Sequence, residues 1–218
     1  MSEVQCKDSG LMGINPDFIE KENLGLDGAE KQTLLKIARD SIEASVSGKK
    51  YHPSVPKNSK LLKPSGAFVT LREKGELRGC IGYIEARVPL FETVAQTASK
   101  AAMCDPRFEA VGKDELRDIE VEISVLSPLR KIISTDEIIL GKHGLLIERG
   151  YYHGLLLPQV ATENNWNKEQ FLEYTCMKAG IGTDCYKQSG TNIYIFEAEV
   201  FGEGEPERRA SEDLVERT

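Results

Sequence analysis

The segment from Ile119 to Val125 alternates without interruption between apolar and polar side chains. The apolar positions are Ile119, Val121, Ile123 and Val125, and the polar ones are Glu120, Glu122 and Ser124. Because successive side chains of a strand point to opposite faces of a sheet, the pattern predicts a half-buried strand. The two carboxylates are also candidates for acid–base chemistry or magnesium binding, but an exposed sheet face needs no chemistry, and we favour that interpretation.

Helical and strand-like segments alternate along the rest of the chain. The predicted elements are a capped amphipathic helix at 27–48, a hairpin at 66–84, a helix at 89–103, a second hairpin at 141–160, a helix at 167–180 and a last strand at 191–201. The order lacks the repeated βαβ rhythm of a parallel sheet. It therefore predicts a mixed α+β fold with mainly antiparallel sheets and flanking helices.

The chain divides into three parts by composition. We expect an irregular leader at 1–26, one structured domain at 27–205 and a charged tail at 206–218. A chain of 218 residues can bury one sizeable core or two small lobes.

The bulk composition excludes several classes of protein. A net charge of −7 argues against a nucleic-acid footprint over the whole surface. No apolar run approaches membrane-spanning length, and the N-terminus lacks the pattern of a secretion signal, so we predict a cytoplasmic protein. The five scattered cysteines fit neither a disulfide framework nor a zinc site. We therefore expect mostly reduced thiols and neither a metal nor a cofactor.

Basic residues are concentrated between Lys49 and Arg78. They are Lys49, Lys50, Lys57, Lys60, Lys63, Arg72, Lys74 and Arg78. Such a segment is typical of a solvated loop, which we favour, but it also fits an anionic partner. Direct RNA binding through this segment is one hypothesis, and counterion release would make it steeply salt-dependent.

The hexapeptide LRGCIG at 77–82 places a cysteine between two glycines. In an uninterrupted strand, Arg78, Cys80 and Gly82 share one face. Gly82 leaves the sulfur open there, and the guanidinium of Arg78 favours a thiolate. This arrangement makes Cys80 a candidate nucleophile. The alternative is structural, because unpaired cysteine usually serves as a small buried hydrophobe, and Gly79 and Gly82 would then admit a crossing helix.

Three other places carry candidate residues. Arg107, in DPRF at 105–108, is a candidate anion anchor beside Arg78, or else a structural partner of Asp105. His143, in GKHG at 141–144, is a candidate substrate-binding residue, although the glycines favour a tight turn. Trp166 is expected to pack on Phe171 as a helix staple. No linear motif supplies a general base for Cys80.

Several motifs together resemble the AMMECR domain family, named for a human chromosomal region of Alport syndrome, midface hypoplasia and elliptocytosis. They are LRGCIG at 77–82, DPRF at 105–108, EVEISVLSP at 120–128, GKHGLLI at 141–147 and LLPQV with W....FL...C.KAG between 156 and 180. The resemblance spans roughly residues 30 to 202. It implies a two-lobed α+β fold, with a larger lobe from both chain ends, a smaller lobe from the middle and a polar cleft between them.

The resemblance says less about activity. It implies an archaeal or bacterial-type protein that is a partner of radical S-adenosylmethionine and Memo-like proteins, with a role in RNA base modification. Two hypotheses follow. One is a catalytic component with Cys80 as nucleophile and a substrate site of Arg78, Gly79, Gly82, Arg107 and His143. The other is a non-catalytic binding module that docks a partner protein or a small anionic ligand.

Overall fold

The computed structural model describes residues 25–84 and 87–203. The predicted leader and charged tail lie almost entirely outside these residues. The helices are α1 (Gly28–Val46), α2 (Leu90–Met103), α3 (Pro158–Glu163) and α4 (Lys168–Lys178). The strands are β1 (Ala67–Glu73), β2 (Glu76–Tyr83), β3 (Ile119–Leu126), β4 (Arg130–Ile132), β5 (Gly144–Arg149), β6 (Tyr152–Leu156), β7 (Asn192–Phe196) and β8 (Ala198–Gly202).

The first sheet has the strand order β2-β1-β3-β8, with antiparallel pairs throughout. Helices α1 and α2 cover one face of it and complete a hydrophobic core that includes Leu34, Val94 and Ile123. Helix α1 begins as predicted, because Asp27 and Glu30 form a reciprocal capping box that satisfies two free backbone donors. The predicted mixed α+β fold with mainly antiparallel sheets is confirmed.

The second sheet has the order β4-β7-β5-β6, and it packs against α4 in a separate core that includes Leu145 and Phe171. Helix α4 begins with the predicted capping box of Asn167 and Gln170. Trp166 stacks on Tyr174, with ring centroids 4.0 Å apart. The indole ring therefore has a stacking partner one turn beyond the predicted Phe171.

One ribbon of two strands joins the sheets, and it corrects the prediction of a single last strand. The chain passes from β3 into β4 and returns from β7 into β8, so the two crossings lie side by side. The Ser127 N–H donates to the Glu197 carbonyl at 2.9 Å, and the Glu197 N–H donates to Ser127 Oγ at 2.8 Å. Glu197 is thus the break between β7 and β8. The predicted cleft between two lobes stays a prediction.

A disulfide between Cys176 and Cys185 contradicts the expectation of mostly reduced thiols. Both residues are buried, and their Cα atoms are 5.8 Å apart. The spacing of nine residues hid the pair, because helix α4 ends at Lys178 and the chain then folds back over it. The bond closes a short loop at the end of α4.

Replacing both bonded cysteines by alanine (Cys176→Ala with Cys185→Ala) should lower the free energy of unfolding by about 2 kcal/mol, because the short loop then regains entropy in the unfolded chain. Urea denaturation without reductant measures the change. If both thiols of the denatured, unreduced protein react with an alkylating reagent, the disulfide does not form and the prediction fails.

Candidate functional site

The hexapeptide lies on β2, which is an edge strand of the first sheet. The pairing with β1 shifts register inside it, since Gly79 lies opposite Leu71 while Leu77 lies opposite Arg72. Arg78 is therefore the extra residue of a β-bulge, and the predicted uninterrupted alternation is wrong at this point. A bulge bends the strand and redirects the side chain of the unpaired residue.

Both glycines next to Cys80 are required by close neighbours. A Cβ on Gly79 would lie 2.3 Å from the carbonyl oxygen of Ala101 in α2, and one on Gly82 would lie 2.2 Å from the ring of Phe68. Gly79 thus admits the crossing helix, as the structural alternative expected. Gly82 does not leave open space beside the sulfur, because the Phe68 ring occupies it.

The motifs LRGCIG and DPRF meet at the outer edge of β2. The backbone N–H of Cys80 donates to Asp105 Oδ2 at 2.8 Å, and Arg107 Nη2 donates to the Cys80 carbonyl at 3.4 Å. The Arg107 guanidinium also pairs with Asp105, with Nη2 and Oδ2 2.6 Å apart. The two side chains therefore act as a clamp on the free strand edge, which would otherwise be open to pairing with another chain.

Asp105 is ionised over the ordinary pH range. Burial by itself raises its pKa, but hydrogen bonds from the Arg107 side chain and from the Cys80 and Arg107 N–H groups outweigh burial and lower the pKa to about 2. Hydrogen bonds to the charged form of a carboxylate have this effect. The clamp is thus a charged contact, with a carboxylate that is only 2% exposed.

Arg78 is committed to a different contact. Its Nε donates to Glu115 Oε1 at 2.7 Å, and its Nη1 donates to the Glu109 carbonyl at 2.9 Å. Glu115 also accepts a hydrogen bond from the Gly112 N–H. The guanidinium therefore holds the loop that follows DPRF, and the charge that acts on the thiol comes from Arg107 rather than Arg78.

The environment of Cys80 disfavours a thiolate. The sulfur accepts a hydrogen bond from Thr70 Oγ1 at 3.3 Å. Burial raises the pKa of the thiol, and this effect exceeds the lowering by Thr70 and Arg107, while Asp105 and Glu122 raise the pKa further. Desolvation acts in this way because the charged form loses its hydration. Cys80 is a free but half-buried thiol.

The structure brings Arg78, Cys80 and Arg107 together, and Arg78 and Arg107 both lie over the Phe108 ring. It places His143 elsewhere, in the turn before β5. There His143 Nδ1 accepts a hydrogen bond from the Ile139 N–H at 3.1 Å, and burial lowers the pKa of the imidazole. His143 is 7% exposed, and its observed hydrogen bond ties down that turn.

The polar face of β3 is less exposed than the sequence pattern predicts. Glu120 is exposed and Glu122 half-buried, but Ser124 is 1% exposed. Its hydroxyl has no hydrogen-bond partner within the part of the chain that the structure describes. Ser124 lies opposite Phe68 on β1, and no feature of the sequence distinguishes it from its exposed neighbours.

A groove of about 670 Å³ lies between α1, α2 and the start of the basic segment. The two helices run side by side in the same direction, because Ser41 Oγ donates to the Ala95 carbonyl and Ser45 Oγ lies 2.7 Å from Ser99 Oγ. The chain after α1 turns back along them. Charged and polar side chains in the lining are Ser41, Ser45, Lys49, Lys50, Tyr51, His52, Glu92, Gln96, Ser99 and Lys100.

The basic segment is the sequence signal for this groove, but it does not locate the groove. Lys49 and Lys50 line it, whereas Lys60 pairs with Glu30 at 3.4 Å and Arg72 lies on β1. Only the fold separates the lysines that face a cavity from those on an exposed loop.

A family model for AMMECR1 matches residues 35–201, which include both clamp motifs. The chain belongs to the AMMECR1 family. A similar protein of Methanothermobacter thermautotrophicus is 45% identical over 182 residues, with 80% of this chain and 94% of that protein covered. One of Nanoarchaeum equitans is 41% identical over 177 residues, with 78% and 98% covered.

The crystal structure of an uncharacterised protein from Pyrococcus horikoshii has the same fold. It superposes with a TM-score of 0.76 at 39% identity, covering 79% of this chain and 91% of that one. The fold of this chain is thus also that of a solved structure with clear sequence similarity. Within the described part of this member, no helix combines the length and the apolar character needed to span a membrane.

Proposed function

We propose that this AMMECR1 protein is a non-catalytic binding module, accessory to a modification reaction that a partner protein carries out. The proposal rests on the observation that the residues predicted to be catalytic are held in contacts within the fold. Asp105 and Arg107 clamp the backbone of Cys80, Arg78 holds Glu115, and the pKa of the thiol is raised by burial.

A cysteine nucleophile requires a thiolate and usually a neighbouring base. The side chain that forms a hydrogen bond with the Cys80 sulfur is that of Thr70, whose hydroxyl is the donor. A threonine hydroxyl does not take up a proton at neutral pH, so it cannot act as the base. The predicted substrate anchors also serve the fold, since Gly79 and Gly82 make room for α2 and Phe68. These contacts support the binding hypothesis over the covalent one.

The resemblance to the family supplies the candidate partners. The proposed partners are radical S-adenosylmethionine and Memo-like proteins. The proposed reaction is the modification of an RNA base in the cytoplasm. In that setting the partner performs the chemistry, and this chain contributes a docking surface and a ligand site.

Alkylation of the native protein tests the proposal directly. We expect Cys80 to react with iodoacetamide more slowly at pH 7.5 than a free peptide thiol does. The reaction should accelerate only as the pH rises above the pKa of an ordinary cysteine, because the pKa of Cys80 is raised in the folded protein. Mass spectrometry of the Cys80 peptide measures the rate, and Cys80→Ser is the control for assignment. A reactivity profile with its midpoint below pH 8 would overturn the proposal.

A further inference from the structure

We propose that the groove between α1, α2 and residues 49–55 binds a small organic phosphate monoester with free hydroxyl groups. The inference deepens the proposed function and rests on it, because it names the ligand class of a protein that binds rather than reacts. The site lies apart from the Cys80 clamp. Its other lining residues are apolar and are Pro53, Val55, Phe91 and Ala95.

One end of the groove is cationic. Helix α1 ends at Val46, and the chain that follows it lines the groove with Lys49 and Lys50. Helix α2 contributes Lys100, which is next to Ser99, the partner of Ser45. Among the described residues no carboxylate lies within salt-bridge distance of Lys49, Lys50 or Lys100. Lys60 of the same segment is paired with Glu30, whereas Lys57 and Lys63 are exposed and have no such partner among the described residues. The Lys100 ammonium also lies 5.4 Å from the centroid of the Tyr83 ring, which carries no full negative charge. Lysines that line one groove without a carboxylate partner favour a phosphate, which accepts charge-assisted hydrogen bonds.

The wall beside this end presents a hydrogen-bond acceptor. Ser45 Oγ donates its single proton to the Ser41 carbonyl at 2.8 Å. The short contact between the Ser45 and Ser99 hydroxyls, at 2.7 Å, is therefore donated by Ser99. The lone pairs of Ser99 Oγ are left to accept a hydrogen bond, which a hydroxyl group of the ligand would donate.

Glu92 makes the part of the groove toward the start of α2 acidic. Glu92 precedes Lys100 by eight residues on α2, which places the two about 12 Å apart along the helix. Its carboxylate repels a phosphate and accepts hydrogen bonds from hydroxyls, so it fixes the direction in which the ligand lies. Val55 is 71% exposed at this groove and offers an apolar contact.

The size of the groove limits the ligand. A volume of about 670 Å³ lies within the range of roughly 300 to 1,000 Å³ that is typical of small-molecule sites. The lining therefore fits a sugar phosphate or a nucleoside monophosphate. Both sources share the phosphate monoester and the hydroxyls, and they differ in whether a planar ring packs on the apolar lining residues.

Isothermal titration calorimetry of the full chain tests the site. The probes are ribose 5-phosphate, adenosine 5′-monophosphate, ribose and inorganic phosphate. We expect both monoesters to bind and ribose to fail. Lys49→Gln with Lys50→Gln should weaken the binding about tenfold, because it removes charge-assisted hydrogen bonds.

The matched control is Lys57→Gln with Lys63→Gln, which removes the same charge from exposed positions of the same segment outside the groove lining. We expect this pair to change the affinity less than about twofold, since distant exposed charges are screened. Circular dichroism checks that both pairs fold. Ser99→Ala should weaken both monoesters without weakening inorganic phosphate.

Two results would overturn the site. One is that no monoester binds at millimolar concentration, and the other is that both lysine pairs weaken binding equally, which indicates diffuse attraction. A third result would also reject the site. It is salt-sensitive binding of transfer RNA that both double lysine variants weaken equally and that the monoesters do not affect, which would indicate that the segment binds RNA. The Cys80 alkylation profile is independent of all these arms, so failure of the groove and failure of the non-catalytic proposal remain distinguishable.

Discussion

Replacing Gly79 by alanine will lower the free energy of unfolding by at least about 3 kcal/mol, the upper range for overpacking a close-packed interior. The added methyl group would lie 2.3 Å from the carbonyl oxygen of Ala101. That atom belongs to the backbone of α2, so no side-chain rotation relieves the contact. Either α2 moves away from β2 or the strand shifts, and both changes open the core that lies between them.

Urea denaturation followed by circular dichroism measures this loss. The matched control is Gly182→Ala, whose new methyl group would approach only the flexible Asp184 side chain, at 3.2 Å. We expect the control to change the stability by less than about 0.5 kcal/mol, as for most surface substitutions. Equal midpoints for Gly79→Ala and the native chain would show that α2 does not pack on β2 as described.

Replacing Asp105 by alanine will lower the stability by about 3 kcal/mol at pH 6. The change leaves the Cys80 N–H without its acceptor and the Arg107 guanidinium without its counter-ion, and an unpaired buried donor alone costs about 1–3 kcal/mol. Arg107 is 50% exposed, so water screens its charge and limits the rest of the loss. The conservative Asp105→Asn keeps an acceptor and should lose less.

The contribution of Asp105 depends on pH in a defined direction. The pKa of the folded protein is lowered from 3.8 to about 2, so the unfolded chain binds the proton more readily. The stabilisation is fully present above pH 3.8 and is lost as the pH falls toward about 2. Because one pKa unit is equivalent to about 1.4 kcal/mol, this part amounts to about 2 kcal/mol.

Unfolding of the native chain and of Asp105→Ala in urea, at several pH values between 6 and 2.5, tests this linkage. The difference in stability between the two proteins should narrow as the pH falls below 4. Arg130→Gln, which breaks an exposed ion pair with Glu137, is a control whose effect should stay small throughout. A difference that is independent of pH would show that Asp105 acts only through packing.

Local sequence patterns predicted the regular elements well because their causes are local. The capping boxes at Asp27 and Asn167 and the alternation in β3 each involve residues within a few positions of one another. The turn between β1 and β2 was also recognisable, because the polar residues Glu73, Lys74 and Gly75 separate two strand-like runs. In the structure Lys74 and Gly75 both adopt positive φ. Such signals set helix starts and hairpins before any tertiary contact forms.

The candidate site was harder because its determinants are distant in sequence. Arg78 was expected to act on the adjacent thiol, but the bulge redirects it to Glu115, which lies 37 residues later. The space beside Gly82 was expected to be open, and Phe68 from the neighbouring strand fills it. Glycine in a strand indicates a close neighbour without identifying it, so the sequence left a reactive and a structural cysteine both open.

The position of the groove was also not predictable from the sequence. Lys49 and Lys50 were two of eight basic residues in one segment, and exposure alone does not separate them from Lys57. Their position beside Ser99 and Lys100 depends on the parallel packing of α1 and α2. The sequence therefore left a solvated loop and an anionic partner both open for this segment, and it did not locate the groove.

The ribbon that joins the sheets has a consequence for biosynthesis. Strand β8 completes the first sheet by pairing with β3, yet it follows the entire second sheet in the chain. During translation, β3 must therefore present an unpaired edge until the last strand leaves the ribosome. Nascent chains expose such edges to aggregation and to chaperones, so a ribosome-bound chain arrested before Ala198 should be more sensitive to protease than one released at full length.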